Sequence, residues 1–140
     1  MIRYLLDTCI CVDMIRKKPP VLRRRFAQCP FEAVAISSIT FAELLYGVAK
    51  SVDPPANRTS LAEFCAPLAI VPFGRAAANA YGELRAALER AGTPIGPLDL
   101  LIAAHGVALG ATVVTSNDRE FRRVPSLVVE NWLSPTPRGG

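Results

Sequence analysis

Apolar residues in this chain fall into two arrangements, short runs and longer stretches with apolar positions three and four residues apart, and the two alternate along its length. The short runs predict five strands, at residues 2–6, 34–36, 70–71, 111–115 and 127–129. The first two read as buried strands, and the first ends at Asp7, so its C-terminal end delivers a carboxylate to whatever lies there. Thr8 reads as the cap of a helix running through Ile15. Pro19 and Pro20 stop that helix and open a second over residues 21–28, whose Arg23, Arg24 and Arg25 must largely face water.

Ser37 or Ser38 can accept the orphan backbone N–H groups at the start of a third helix. In it Phe41, Leu44, Leu45 and Val48 form an apolar stripe, with Glu43 beside the stripe. Asp53-Pro54-Pro55 ends the segment, and residues 60–66 predict another helix. Residues 75–90 predict a long one, with Ala77, Tyr81, Leu84, Leu88 and Ala91 in step and Gly92 closing it. Gly96-Pro97 sets up a helix over 98–109 that stops at Gly110, which places Asp99 in its first turn. Residues 118–121 read as a turn or helix fragment, and the tail 135–140 as loose. Strands alternating with helices predict a parallel sheet covered on both faces: one α/β domain over residues 1–134, without repeats or a linker.

Composition narrows this picture. At 140 residues, 51% hydrophobic and 20% charged, the chain can bury a real core. Its longest apolar stretch, residues 98–114, carries Asp99 and His105 and is broken by two glycines, so no membrane span is expected. An acidic residue at position 7 leaves no room for a signal peptide, and the expected location is the cytoplasm. Cys9, Cys11, Cys29 and Cys65 read as reduced, mostly buried thiols, because the sole histidine, His105, completes no familiar zinc spacing. His105 itself has no partner for acid–base work and reads as structural or surface. The net charge of +4 is too modest to establish a nucleic-acid partner by itself.

The candidate chemistry lies in the acidic residues. In a parallel sheet the functional crevice opens beyond the carboxyl ends of the strands. Asp7 ends the first strand, Asn117 and Asp118 follow the strand at 111–115, and Glu43 and Asp99 lie in helices that start near the same edge. Carboxylates converging there repel unless a cation holds them, and all-oxygen ligands favour Mg²⁺ or Mn²⁺ over zinc. Each residue also has an ordinary reading: Asp7 as a helix cap, Glu43 as a solvent-facing side chain, Asp99 as a complement to the helix dipole, Asn117 and Asp118 as turn residues.

Four segments, taken together, resemble the PIN-domain ribonucleases, specifically the VapC toxins of bacterial VapBC systems. They are residues 4–10 (Tyr-Leu-Leu-Asp-Thr-Cys-Ile), 36–47 around Glu43, 96–105 around Asp99 and 114–121 around Asn117, and the likeness continues to Trp132. The resemblance implies a three-layer α/β/α fold with a central parallel sheet. It implies Asp7, Glu43, Asp99 and Asn117 as site residues, with Asp7 and Asp99 the foremost Mg²⁺ ligands, Glu43 the third, and Mn²⁺ able to substitute. Two departures matter. The family usually has Asn where this chain has Cys9, which predicts loss of a polar contact that orients Asp7. Many PIN domains have a carboxylate where this chain has Asn117, which leaves Asp118 or Glu120 to supply the extra charge.

The implied reaction is hydrolysis of an RNA phosphodiester, with Glu43 holding or deprotonating the attacking water. The leading substrate is tRNA, with initiator tRNA cut in its anticodon loop as the specific expectation. Arg23, Arg24, Arg25, Arg85, Arg119, Arg122 and Arg123 are the candidates for holding it. The expected partners are a VapB-type antitoxin and a second copy of the chain, in a homodimer or a higher toxin–antitoxin assembly. Ile15, Val21, Leu22 and Phe26 are either a groove for a partner segment or ordinary core. Two other readings stand beside this one: a PIN-fold binding module with little catalysis, and a structure-specific DNA nuclease. An aspartyl-phosphate mechanism wants a second Asp two residues after Asp7, and Cys9 occupies that place.

Overall fold

A computed structural model describes residues 1–134, so the tail expected at 135–140 lies outside the described residues. Five strands, β1 (Tyr4–Leu6), β2 (Val34–Ser37), β3 (Ala69–Val71), β4 (Thr112–Val114) and β5 (Val129–Glu130), form one parallel sheet in the order β3-β2-β1-β4-β5. Leu6 stands opposite Ile36 on one side and Val114 on the other.

The period-two alternation of a strand divides the core. Leu6, Val34, Ile36 and Val114 face one layer, built from α1 (Thr8–Arg16), α2 (Pro20–Ala27), α3 (Ser38–Ala49) and α4 (Pro54–Cys65), where they meet Ile10, Leu22, Leu44, Leu61 and Trp132. Leu5, Ala35 and Val113 face the other, where α5 (Arg75–Arg90), α6 (Pro97–Leu109) and α7 (Asp118–Phe121) supply Leu88, Leu100, Ile102 and Phe121. The result is the expected α/β/α sandwich.

Several local expectations shift. Asp7, and not Thr8, caps α1: its Oδ1 accepts from the Ile10 N–H at 2.9 Å. Ser37 is the cap of α3. Helix α4 starts six residues early, because Asp53 accepts from the Ala56 N–H and Pro54 takes the first helical position, where a missing N–H costs nothing. Leu45 is 41% exposed, so the buried stripe of α3 is Thr40, Leu44 and Val48. Strand β5 begins at Val129, after a turn in which Ser126 adopts φ 70°. Helix α6 ends as expected, with Gly110 in the left-handed region at φ 64°.

Chain order places β1 between β2 and β4, so the connections leaving β1 and β4 diverge to opposite faces and open a crevice at their carboxyl ends. Helix α6 lies close against the sheet beside it. A Cβ on Gly106 would come 2.7 Å from Val113 Cγ2 and 3.3 Å from Leu127 Cδ1. Val113 is fully buried and β-branched, so it has no free rotamer to give way. Gly106→Ala should therefore destabilise the fold by about 1–3 kcal/mol, read from urea unfolding. An unchanged midpoint would contradict this close packing.

Candidate active site

Asp7 leaves β1 as the sheet ends and is only 2% exposed. Its backbone N–H still donates to the Val114 carbonyl, which registers it against β4. Besides the Ile10 N–H, its carboxylate is bonded by the hydroxyl of Thr115 and by Cys9, whose sulfur lies 3.2 and 3.1 Å from the two carboxylate oxygens. The contact expected to be lost with an Asn at position 9 is thus supplied by a thiol. Burial raises the Asp7 carboxyl above its ordinary range, against the opposing effect of these hydrogen bonds. Burial and the adjacent Asp7 also raise the Cys9 thiol, which stays in its protonated, donor form.

The crevice brings the predicted residues together. Asp7, Glu43, Asp99 and Asn117 line one cleft of about 460 Å³, along with Thr8, Cys9, Val12, Asp13, Leu98 and Ser116. Glu43 reaches it from α3, where its place beside the buried stripe points it past α1. Asp99 reaches it from the first turn of α6. Asn117 makes no capping bond to α7, and its backbone N–H donates to Thr115 Oγ1 at 2.9 Å.

The two candidates for an additional carboxylate separate. Asp118 is held by Arg122 at 2.7 Å, and this guanidinium keeps its carboxyl below the ordinary range. Glu120 instead hydrogen-bonds Asp99 and accepts from the Gly96 N–H at 3.3 Å, so it stands directly behind the cleft. Burial, then the hydrogen bond and charge of Glu120, then the charge of Asp7, push Asp99 up to about 7. Sequence reasoning missed Asp13. It follows Cys9 by four residues on α1 and so shares its face, which is the signal that would have found it.

The donor set fits a hard divalent cation. It consists of oxygens, and no ion pair among the described residues involves Asp7, Glu43, Asp99 or Glu120. No three described His, Cys, Asp or Glu side chains stand close enough to enclose an ion by themselves. Burial is the main cause that raises Asp7 and Asp99, and nearby negative charge adds to it, from Asp13 on Asp7 and from Glu120 and Asp7 on Asp99.

Residues outside the cleft resolve as follows. His105 is buried, with Nδ1 2.8 Å from Ser37 Oγ and its ring edge-on to Phe73, a structural role. The four cysteines are free; Cys11 is buried and the others half-buried. Arg25 does not face water as expected: it is half-buried, pairs with Glu130 at 3.3 Å and lies over the Trp132 ring. Arg85 pairs with Glu89, and Arg123 donates to the Pro94 carbonyl, while Arg23, Arg24 and Arg119 are exposed. No helix of the described residues is long and apolar enough to cross a membrane.

With this geometry the comparisons with known proteins agree. The PIN domain family model matches residues 4–127, and the chain therefore belongs to the PIN-domain family, among its VapC ribonucleases. Two relatives show how near the likeness runs. The tRNA(fMet)-specific endonuclease VapC of Salmonella typhimurium is 41% identical, over 94% of this chain and 99% of its own length. Ribonuclease VapC2 of Rickettsia felis is 45% identical, over 92% and 97%. A crystal structure of VapBC2 from Rickettsia felis, bound to a DNA fragment from their promoter, superposes with a TM-score of 0.89, covering 94% of this chain and 99% of that one. These relatives are named as nucleases acting on RNA, which favours neither the binding module nor the DNA nuclease. PIN-domain ribonucleases are in general divalent-metal enzymes.

The raised Asp99 has a consequence for stability. A carboxyl raised in the folded state is protonated there at pH values where the unfolded chain has already ionised. Its stabilising contribution is full below about pH 4 and is lost as pH rises towards 7. In metal-free protein, thermal midpoints across this window should fall more steeply for the wild type than for Asp99→Asn. Parallel curves would show that Asp99 is not held protonated by its surroundings.

Proposed function

We propose that this protein is an Mg²⁺-dependent endoribonuclease that cuts tRNA, with initiator tRNA cleaved in its anticodon loop as the specific target, and that a VapB-type antitoxin restrains it. The single observation carrying this reading is the set of carboxylates Asp7, Glu43 and Asp99, without cationic partners among the described residues, in one open cleft at the sheet's switch point.

Asp7 and Asp99 would hold the metal, and Mn²⁺ would substitute for Mg²⁺ because both take oxygen ligands. When bound, the cation supplies positive charge to the phosphate in the transition state and lowers the pKa of an attacking water. Glu43 orients that water and accepts its proton. Asn117 contributes an uncharged amide that orients a water or a phosphate oxygen at the same wall. Glu120 stands beside Asp99 and adds negative charge at that wall of the cleft. Asp7 is kept in place by the start of α1, whose first N–H groups offset part of its buried charge.

Backbone phosphates approaching so acidic a cleft require positive charge around it. Arg23, Arg24 and Arg119 are exposed and suited to this, whereas Arg25 is committed to Glu130 and Trp132. Binding carried by such contacts weakens steeply with salt. The antitoxin partner is supported by the VapBC complexes to which the chain is similar, and the proposed assembly is a homodimer or higher toxin–antitoxin complex located in the cytoplasm.

Brief expression followed by sequencing of RNA 5′ ends should show cuts in tRNA that are absent with Asp99→Ala. Asp7→Ala should lower cleavage of purified tRNA by at least about 100-fold, more than the loss of an outer-shell partner costs, and should relieve growth arrest. Intact tRNA and mRNA after incubation of the wild type with Mg²⁺ would reject the nuclease reading. Preferred degradation of a DNA flap would reject RNA as the substrate.

A further inference from the structure

Cys9, on the first turn of α1, has its sulfur among four oxygens. Sγ lies 3.2 Å from Asp7 Oδ1 and 3.1 Å from Oδ2, receives the Ser116 hydroxyl at 3.0 Å, and is 3.5 Å from Thr115 Oγ1. Two strand ends meet at this atom, since Asp7 follows β1 while Thr115 and Ser116 follow β4.

The backbone anchors only one of the Asp7 oxygens, Oδ1, through the Ile10 N–H. One such bond fixes the position of the carboxylate but not its plane, because the terminal torsion of an Asp side chain is soft. Further contacts are needed to hold the plane, and the Thr115 hydroxyl and the Cys9 thiol supply them. The Ser116 hydroxyl donates to the sulfur, so the S–H proton is left to point towards Asp7, while Thr115 accepts from the Asn117 N–H and keeps its own O–H for Asp7.

We propose that Cys9 is a positioning residue for Asp7. It is the middle of a relay, Ser116 to Cys9 to Asp7, that ties the loop after β4 to the carboxylate at the end of β1 and sets the direction in which Asp7 presents its oxygens to the cleft. This rests on the ribonuclease reading given above. The relay explains how this chain manages without an amide at position 9, and it assigns Ser116 a part in the site through Cys9. A thiol is a weak donor, so the effect of losing it belongs at the lower end of what an outer-shell partner contributes.

The test uses full-length protein and two readouts: Mn²⁺ binding without RNA, followed by electron paramagnetic resonance, and steady-state cleavage of tRNA. Cys9→Ala should weaken Mn²⁺ binding by about 10-fold and lower kcat in parallel, while KM for RNA stays unchanged. Cys9→Ser keeps a donor and should retain both properties near the wild-type values, and Ser116→Ala should fall between. The proposal is overturned if Cys9→Ala binds Mn²⁺ as the wild type does, or if Cys9→Ser is as impaired as Cys9→Ala. Should Cys9→Ala fail to fold, as judged by its thermal transition, Ser116→Ala decides: Mn²⁺ affinity equal to wild type overturns the relay, and weaker affinity with unchanged KM supports it. Wild-type protein that neither cleaves RNA nor binds Mn²⁺ overturns the ribonuclease reading itself, a result distinct from an active wild type matched by Cys9→Ala.

Discussion

Asp7 is a nearly buried carboxylate with no cationic side chain paired to it among the described residues, placed where the central strand of the sheet ends. Taking a charge out of water without a partner is costly, and such a group shifts its pKa or is surrounded by donors. Both happen here. The first turn of α1 gives an amide, the chain two residues on gives a thiol, and the loop after β4 gives a hydroxyl. The start of one helix and the exit of a neighbouring strand are thereby organised around one side chain.

The remaining acidic groups come from opposite sides of the sheet. Glu43 rides on α3, which is anchored in the first core by Leu44 and Val48. Asp99 and Glu120 ride on α6 and α7, anchored in the second core by Leu100, Ile102 and Phe121. The cleft lies where the two layers meet over the ends of β1 and β4, so carboxylate spacing is governed by how each layer seats on the sheet. The close approach of α6 at Gly106 is part of that seating. A cation bridging these groups would also bridge the two layers.

Away from the cleft, four of the basic side chains are paired locally. Arg85, Arg122 and Lys17 pair with acids one turn away on their own helices, and Arg25 is built into the packing around Trp132. The cationic side chains left to meet an RNA backbone include, among the described residues, the exposed Arg23, Arg24 and Arg119.

Hydrophobic period and helix punctuation alone determined the order and type of the elements, because a buried strand and an amphipathic helix must each repeat at their own spacing. Residues 75–90 and the stop at Gly110 were legible to the residue, and so was the edge of the sheet where Asp7, Glu43, Asp99 and Asn117 collect. Boundaries set by side-chain caps were less legible. Thr8 and Asp7 are both good caps in sequence, and only geometry shows which oxygen meets the Ile10 N–H. Tertiary structure also decided what neighbouring acids do. Asp118 and Glu120 differ by two positions on a short helix, and they face a guanidinium and Asp99 respectively. It decided, too, that the Cys9 sulfur meets both the Asp7 carboxylate and the Ser116 hydroxyl. That follows from where β4 brings Ser116, a contact across 107 residues of chain that no local pattern encodes.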